Sequence, residues 1–486
     1  MTGAQAVDGA PRRPDIVLVI TDQQRYDTIG AFGFPHASTP HLDRLAREGT
    51  WFSRCYVTGA SCVPARASLF TGVYPHTNGI LTNASSWRHT WVESLARAGY
   101  LCVNVGKMHT QPMDSPAGFH DRTVVENKDR SMAKRGRDFV DAWDDALAAA
   151  GQAKPGLPSY RLLADYRERM GAYEWPLDEA LHADAFVGRR AREKVREHAR
   201  DPRPLFLQVG FPGPHPPYDP PARWIETLRG RVGPSRPVDA ADLASQPEPF
   251  RRLREKHVHG DHDAAPHTID APPAWRARRR AHYDANVSLI DAEVGALLDE
   301  LARAGRLDDA IVVFTSDHGD TLGDHGQAQK WTMYEEVVRV PLIVRSTRHP
   351  GRGEVDALVQ SIDLAPALLA CAGVDVPDWW EASSLLPALE GRPFAGRDAV
   401  WCEQGRDVVF QFDDFVSMLR TPRWKWVAFR NDPGGQLFDL DDDPHEERNR
   451  WSDPGCAGVR AGLHDRWVAW RLDSAYRTRD WADAFR

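Results

Sequence analysis

Asp15-Ile16-Val17-Leu18-Val19-Ile20-Thr21, followed at once by Asp22-Gln23, decides the fold. The run is continuously apolar through its centre and of strand length, with no polar alternation. That is the pattern of a central strand covered on both faces of a parallel sheet. Ligands of open α/β sheets bind beyond the carboxyl ends of strands, which makes Asp22 and Gln23 candidate ligands; a turn-capping role for Asp22 is the alternative. Ala310-Ile311-Val312-Val313-Phe314-Thr315 repeats the pattern and ends in Ser316-Asp317-His318-Gly319-Asp320.

Working outward, strand-length runs at 50–57, 100–105, 205–209 and 341–345 alternate with helical stretches at 38–49, 90–99, 275–305 and 362–372. Pro40 and Gly49 bracket the first helix, Thr90-Trp91-Val92-Glu93 has the capping-box pattern, and 275–305 carries Tyr283, Val287, Ile290, Val294, Leu297 and Leu301 on one face. Such alternation with short links predicts an α/β fold, a large, mostly parallel sheet flanked by helices. Residues 110–201 and 219–274 are polar and irregular and read as insertions. Arg276, Arg278, Arg279 and Arg280 read as a solvated helix face. Beyond 377, strand-like stretches at 399–403, 408–412 and 424–430, a turn at 437–444 and a helix at 458–472 predict a smaller C-terminal α+β subdomain with an antiparallel sheet. The organisation expected is a flexible segment over 1–14, a catalytic domain over 15–376 and a C-terminal subdomain over 377–486.

Composition narrows the function classes. The chain has 486 residues, 42% hydrophobic and 27% charged, with a net charge of -8 and pI near 6.2. Such a balance fits a globular protein and argues against nucleic acid or an anionic membrane as the main partner. There is no signal peptide pattern and no apolar run of membrane-spanning length, and the scattered cysteines suit a reducing compartment, so a cytoplasmic location is expected.

The chemistry-bearing residues gather at predicted strand ends. Asp22, Gln23, Asp317 and His318 make a mostly oxygen-rich set for a divalent cation, Ca²⁺, Mg²⁺ or Mn²⁺ ahead of Zn²⁺. Ser61-Cys62-Val63-Pro64-Ala65-Arg66-Ala67-Ser68-Leu69-Phe70-Thr71-Gly72 places Cys62 at a helix start, with Pro64 in the first turn. Arg66, Lys107 and Lys330, with His109 and His215, form a basic cup for a tetrahedral oxyanion. Displacement at sulfur or phosphorus is the chemistry these residues suggest. Prolines on both sides of His215 stiffen its loop. His257, His259, His262 and His267 read as insertion surface rather than a metal site. Trp87 and Trp91 read equally as pocket lining or packing.

Cys62-Val63-Pro64-Ala65-Arg66 with Leu69 and Thr71-Gly72 resembles the signature of the formylglycine-dependent sulfatases, in the alkaline phosphatase superfamily. Asp22-Gln23, Gly106-Lys107-Met108-His109, His215, Asp317-His318-Gly319-Asp320, Lys330 and the segment Phe438-Asp439-Leu440 to Asp443-Pro444 and Glu446 match in order across nearly the whole chain. The resemblance implies an alkaline-phosphatase-like core. It implies that a formylglycine-generating enzyme converts Cys62 to formylglycine, and that Asp22, Gln23, residue 62, Asp317 and His318 hold one divalent cation, Ca²⁺ first, with Mn²⁺ and Mg²⁺ as alternatives.

Further roles follow from the same resemblance. Asp317 would accept the attacking proton, Arg66 and Lys107 would position the hydrated aldehyde, His109 would take the remaining hydroxyl proton, and Lys107, His215 and Lys330 would contact the sulfate ester. Ala65 stands where many members carry Ser or Thr. Gln23 and His318 stand where many carry Asp and Asn, a pattern similar to a bacterial branch including choline sulfatases and phosphonate monoester hydrolases. The function expected is hydrolysis of a small-molecule or carbohydrate sulfate ester, with a phosphonate monoester or phosphodiester hydrolase and a non-catalytic binder of sulfated ligands as alternatives. A homo-oligomer is compatible with this reading.

Overall fold

The computed structural model describes residues 13–126, 128, 139–233, 236–349, 353–405 and 415–479. The N-terminal segment up to residue 12 and the strand expected at 408–412 lie outside the described residues.

The opening run forms β1 (Ile16–Asp22), buried at every position. With β2 (Thr50–Tyr56), β3 (Leu101–Gly106), β4 (Asp121–Val124), β5 (Leu205–Pro214), β6 (Ile311–Ser316), β7 (Arg339–Val340), β8 (Leu342–Ser346) and β9 (Gly353–Gln360) it builds a nine-stranded sheet. The order is β4-β3-β5-β1-β6-β8-β2-β7, with β9 beside β2. Strands β4, β3, β5, β1 and β6 run parallel, Ile16 pairing with Phe206 on one side and Ile311 on the other. Strand β8 is antiparallel to β6 and to β2, which restores the direction of β2 to that of the parallel set.

The reason β1 carries no polar alternation is visible in its two faces. Ile16, Leu18 and Ile20 enter a core shared with Phe70, Leu95 and Leu368, and Val17 and Val19 enter one shared with Leu45, Phe186, Ile290 and Val294. Helices Cys62–Thr71, Val92–Arg97 and Leu364–Cys371 therefore cover one face, and Pro40–Glu48, Ala183–Glu197 and Pro273–Arg303 the other. Each buried aliphatic side chain of such a strand contributes about 1.5–3 kcal/mol.

The second sheet consists of β10 (Val400–Gly405), β11 (Phe415–Arg420), β12 (Trp424–Phe429) and β13 (Asp432–Asp439), antiparallel in that order. Cys402, Met418, Val427 and Phe438 face the main core, whereas Trp401, Leu419, Trp426 and Leu437 pack with Leu463 of the Ala457–Arg477 helix. The Glu403 amide donates to Thr58 O at 2.9 Å, tying this sheet to the segment that leads into Cys62.

Local expectations are corrected in three places. Arg279 and Arg280 are buried instead of solvated: Arg280 pairs with Asp284 at 3.0 Å and Asp27 at 3.1 Å, and Arg279 donates to Leu322 O. A buried guanidinium is tolerated when its charge is matched, as Asp284 and Asp27 match that of Arg280. The Thr90 hydroxyl accepts from Val92 N at 3.1 Å and donates to Ala117 O at 2.7 Å, and the helix begins at Val92 without a capping box. Strand β13 persists to Asp439, three residues into the stretch read as a turn.

Candidate active site

Each parallel strand delivers its residues to one rim. Asp22 ends β1, Lys107 follows β3, His215 follows β5, and Asp317 and His318 follow β6. The approach of β3 to β5 is close enough that a Cβ on Gly106, which has φ +93°, would overlap the Gly210 carbonyl. The Lys107 amide donates to that same carbonyl at 2.8 Å. Residue 106 must be glycine for Lys107 to stand where it does.

Cys62 opens its helix and Arg66 follows one turn later on the same side. Ser61, extended at φ -156°, supplies no cap; its hydroxyl instead donates to Gln404 Oε1 of β10 at 2.9 Å. Gly72, at φ +75°, closes the helix by donating to Ser68 O at 2.9 Å.

Around Cys62 Sγ stand His318 Nε2 at 3.1 Å, Lys330 Nζ at 3.1 Å and Asp22 Oδ1 at 3.6 Å. Arg66 Nε donates to Asp317 Oδ2 at 2.7 Å and its Nη1 to Lys107 O at 2.9 Å, while its buried Nη2 has no hydrogen-bond partner among the described residues. The Lys107 ammonium pairs with Asp22 Oδ2. His215 Nδ1 lies 2.8 Å from Pro216 O, and its amide donates to Asp22 O at 3.1 Å. His109, also buried, is fixed through its backbone by Glu126 and the Trp87 indole, at 3.2 and 2.8 Å.

Charge sets the protonation of this cluster. Burial alone would raise the Asp22 carboxyl, but Lys107, His215, Lys330 and His318 hold it well below the usual carboxylate range. Burial and Asp22 push the Cys62 thiol up, and Lys330, Lys107 and His318 more than offset them, so its pKa is lowered. Burial and the ammonium groups of Lys330 and Lys107 keep the His215 imidazole well below its ordinary value. His318 is raised: burial opposes the imidazolium, and Asp317 and Cys62 favour it.

Asp22, Cys62, Asp317 and His318 each offer a ligand atom within 4.8 Å of the others, all buried. His318 Nδ1 lies 2.9 Å from Gly319 O, so in the neutral ring the proton sits on Nδ1 and the Nε2 lone pair faces the cluster. Two carboxylates and an inward imidazole fit a divalent cation, and replacing the soft sulfur by oxygen would harden the set further. Gln23 Oε1 accepts from Lys330 Nζ at 2.9 Å, and its amide nitrogen donates to Asp320 Oδ2 at 2.7 Å. Gln23 thus borders the cluster, engaged by both neighbours.

Three supporting residues had no assigned role in the sequence. Asp320 orients Gln23 and accepts from Tyr218 at 2.6 Å. Tyr283, read as core, donates to Gln23 O at 2.6 Å and receives Arg25 N at 2.8 Å. Asp263, from the second insertion, brings Oδ2 to 3.7 Å from His215 Nε2. Only the position of Asp320 in the Asp-His-Gly-Asp run could have signalled its part. Trp87 and Trp91 are packing residues, buried against Phe70. His257 and His267 are buried instead of lying on the insertion surface. Among the described residues the histidine group at 257–267 does not converge as metal ligands.

The sulfatase family matches residues 14–374, and the family described as N-sulphoglucosamine sulphohydrolase, C-terminal, matches residues 323–473. An arylsulfatase of Clostridium perfringens is 28% identical over 449 residues, covering 90% of each chain. A choline-sulfatase of Rhizobium meliloti is 29% identical over 470 residues, covering 91% of this chain and 83% of its own. The crystal structure of the phosphonate monoester hydrolase of Agrobacterium radiobacter has a TM-score of 0.79 at 26% identity, over 95% of this chain and 96% of that one. With the family match spanning most of the chain and the strand-end residues gathered around Cys62, the protein belongs to the sulfatase family of the alkaline phosphatase superfamily and is a sulfuric-ester hydrolase.

Proposed function

We propose that the chain hydrolyses sulfate esters with a nucleophile made from Cys62 by oxidation to formylglycine. The observation that carries this reading is the setting of Cys62 Sγ, 3.1 Å from both His318 Nε2 and Lys330 Nζ among buried carboxylates and cations. A thiol attacks sulfate poorly, whereas a hydrated aldehyde at the same position offers two hydroxyls, for which the sulfur stands in here. A divalent cation held by Asp22, Gln23, residue 62, Asp317 and His318 would lower the pKa of a bound hydroxyl and polarise the sulfate.

The residues of the chain then divide the proton transfers. Asp317, steadied by Arg66, accepts the proton of the attacking hydroxyl as its oxygen bonds to sulfur. The ester S–O bond breaks, and Lys330 gives the leaving alcohol its proton, with the neutral His215 imidazole beside the ester. Lys107, Lys330 and the unpartnered Arg66 Nη2 offer donors to the diol and to the sulfate oxygens, whose charge grows in the transition state. His109 removes the proton of the remaining hydroxyl; the aldehyde re-forms as the C–O bond to sulfate breaks, and water rehydrates it.

A formylglycine-generating enzyme is the maturation partner in this reading, and a reducing cytoplasm suits its six free cysteines. No helix of the described residues is long and apolar enough to cross a membrane. The arylsulfatase and choline-sulfatase relatives bring aryl and choline sulfates forward as substrates, beside carbohydrate sulfates. A screen of matured enzyme across these three classes tests the reading; turnover of none of them would overturn it. Likeness to a phosphonate monoester hydrolase favours a second reading on the same scaffold, which turnover of aryl phosphonate and phosphodiester above aryl sulfate would support. Lys107 and His109, both present, favour sulfate.

A further inference from the structure

We infer that Asp263 is a specificity-determining residue that accepts a hydrogen bond from a hydroxyl or ammonium group on the alcohol part of the ester. This rests on the sulfatase reading above. The cup around Cys62 is built to attract an anion, and a carboxylate beside it works against that task unless it meets a donor elsewhere on the substrate. Asp263 is such a carboxylate. Its Oδ2 lies 3.7 Å from His215 Nε2, and it interacts electrostatically with Lys330.

Position and rigidity both point to recognition. The side chains of Asp22, Cys62, Arg66, Lys107 and Lys330 are sealed from solvent, whereas that of Asp263 is 27% exposed, which makes it the member of this group that solvent reaches. In the proposed reaction the leaving oxygen lies beside Lys330 and His215, and Asp263 faces both, so the carbon skeleton beyond that oxygen passes Asp263. The backbone there is left-handed at two non-glycine residues, Asp263 (φ +56°) and Ala264 (φ +57°), a conformation that persists only when neighbours enforce it.

Those neighbours come from three segments. Tyr173, stacked on Tyr160 at 4.0 Å, donates to Ala264 O at 2.8 Å. Arg161 grips both oxygens of Asp261 at 2.7 Å. Gln329, next to Lys330, donates to His262 O at 3.1 Å. The two insertions thus fix one carboxylate against the site. A pre-positioned acceptor discriminates between substrates because an analogue without the donor leaves it unpaired.

The test uses matured enzyme and three matched esters: ethyl, hydroxyethyl and aminoethyl sulfate, with nitrophenyl sulfate as reference. Wild type should favour the two donor-bearing esters over ethyl sulfate by about tenfold or more in kcat/KM. Asp263→Gly, which removes the carboxylate and tolerates a left-handed backbone, should erase both preferences and leave ethyl sulfate within about twofold. Asp263→Asn should erase chiefly the aminoethyl preference. A uniform change across all three esters would overturn the inference, because Asp263 would then act through His215 alone. Wild-type turnover without any donor preference would also overturn it and leave the sulfatase reading standing. Failure on every ester, nitrophenyl sulfate included, would sink that reading and the inference with it.

Discussion

Lys330 Nζ donates to Gln23 Oε1 at 2.9 Å and lies 3.1 Å from Cys62 Sγ, so one buried ammonium links the residue that makes the nucleophile to the loop after β1. Burial alone would lower its pKa, and Cys62, Asp22 and Asp263 raise it instead, which favours the charged form. Lys330→Ala should therefore lower kcat/KM for an aryl sulfate by about 10²–10³ while the fold survives. A loss under about fivefold would remove Lys330 from the transition state.

Arg66 and Asp317 form a fully buried pair at 2.7 Å. Removing one partner leaves an uncompensated charge, so Arg66→Ala should cost about 3–5 kcal/mol in denaturant unfolding as well as activity. Arg66→Lys should recover part of the stability but not the second donor to Lys107 O. Equal stability of wild type and Arg66→Ala would contradict the pairing.

How much of this was legible differs by element. Strand β1 was readable because burial on both faces forces a continuous apolar run, and the same held for β6. Strand β4 was not: Asp121-Arg122-Thr123-Val124 sits at the sheet edge, half-buried, and its pairing with β3 comes from the backbone. Strand β13 opens with Asp432-Pro433-Gly434-Gly435, a stretch without strand-like residues, and Gly435 must be small because a Cβ there would strike Trp451 and the Val427 carbonyl. Asp22, Lys107, Asp317 and His318 could be picked out as neighbours because they follow predicted strands, and the sheet does bring them to one rim. Their support could not. Arg280 needs Asp27, some 250 positions away, and Asp263 reaches His215 only through the fold of two insertions.

His325 offers a pH test. Burial disfavours its imidazolium, but Asp242 at 2.9 Å and Glu336 at 3.6 Å push its pKa up to about 10 from an ordinary 6.5. A raised folded-state pKa means the stabilisation is fully present below about pH 6.5 and is lost as pH climbs through about 10. The stability gap between wild type and His325→Gln should therefore be widest near pH 6 and narrow steadily toward pH 10. A gap independent of pH across that range would show that His325 acts by packing on Tyr334 alone.

A chelator should lower turnover at least about tenfold, and Ca²⁺ or Mn²⁺ should restore it. The far-ultraviolet dichroism should not change, because the ligand residues end strands already fixed by the sheet. Full activity after exhaustive chelation would remove the cation from the account.

The most direct measurement joins mass spectrometry of the peptide containing Cys62 to the activity of the same preparation. The account predicts a residue lightened by the exchange of its thiol-bearing CH₂SH for CHO, in a fraction that rises in step with specific activity when a maturing enzyme is co-expressed. Cys62→Ala should fall about 10³-fold or more in kcat. Fully active protein carrying only unmodified cysteine at position 62 would contradict it.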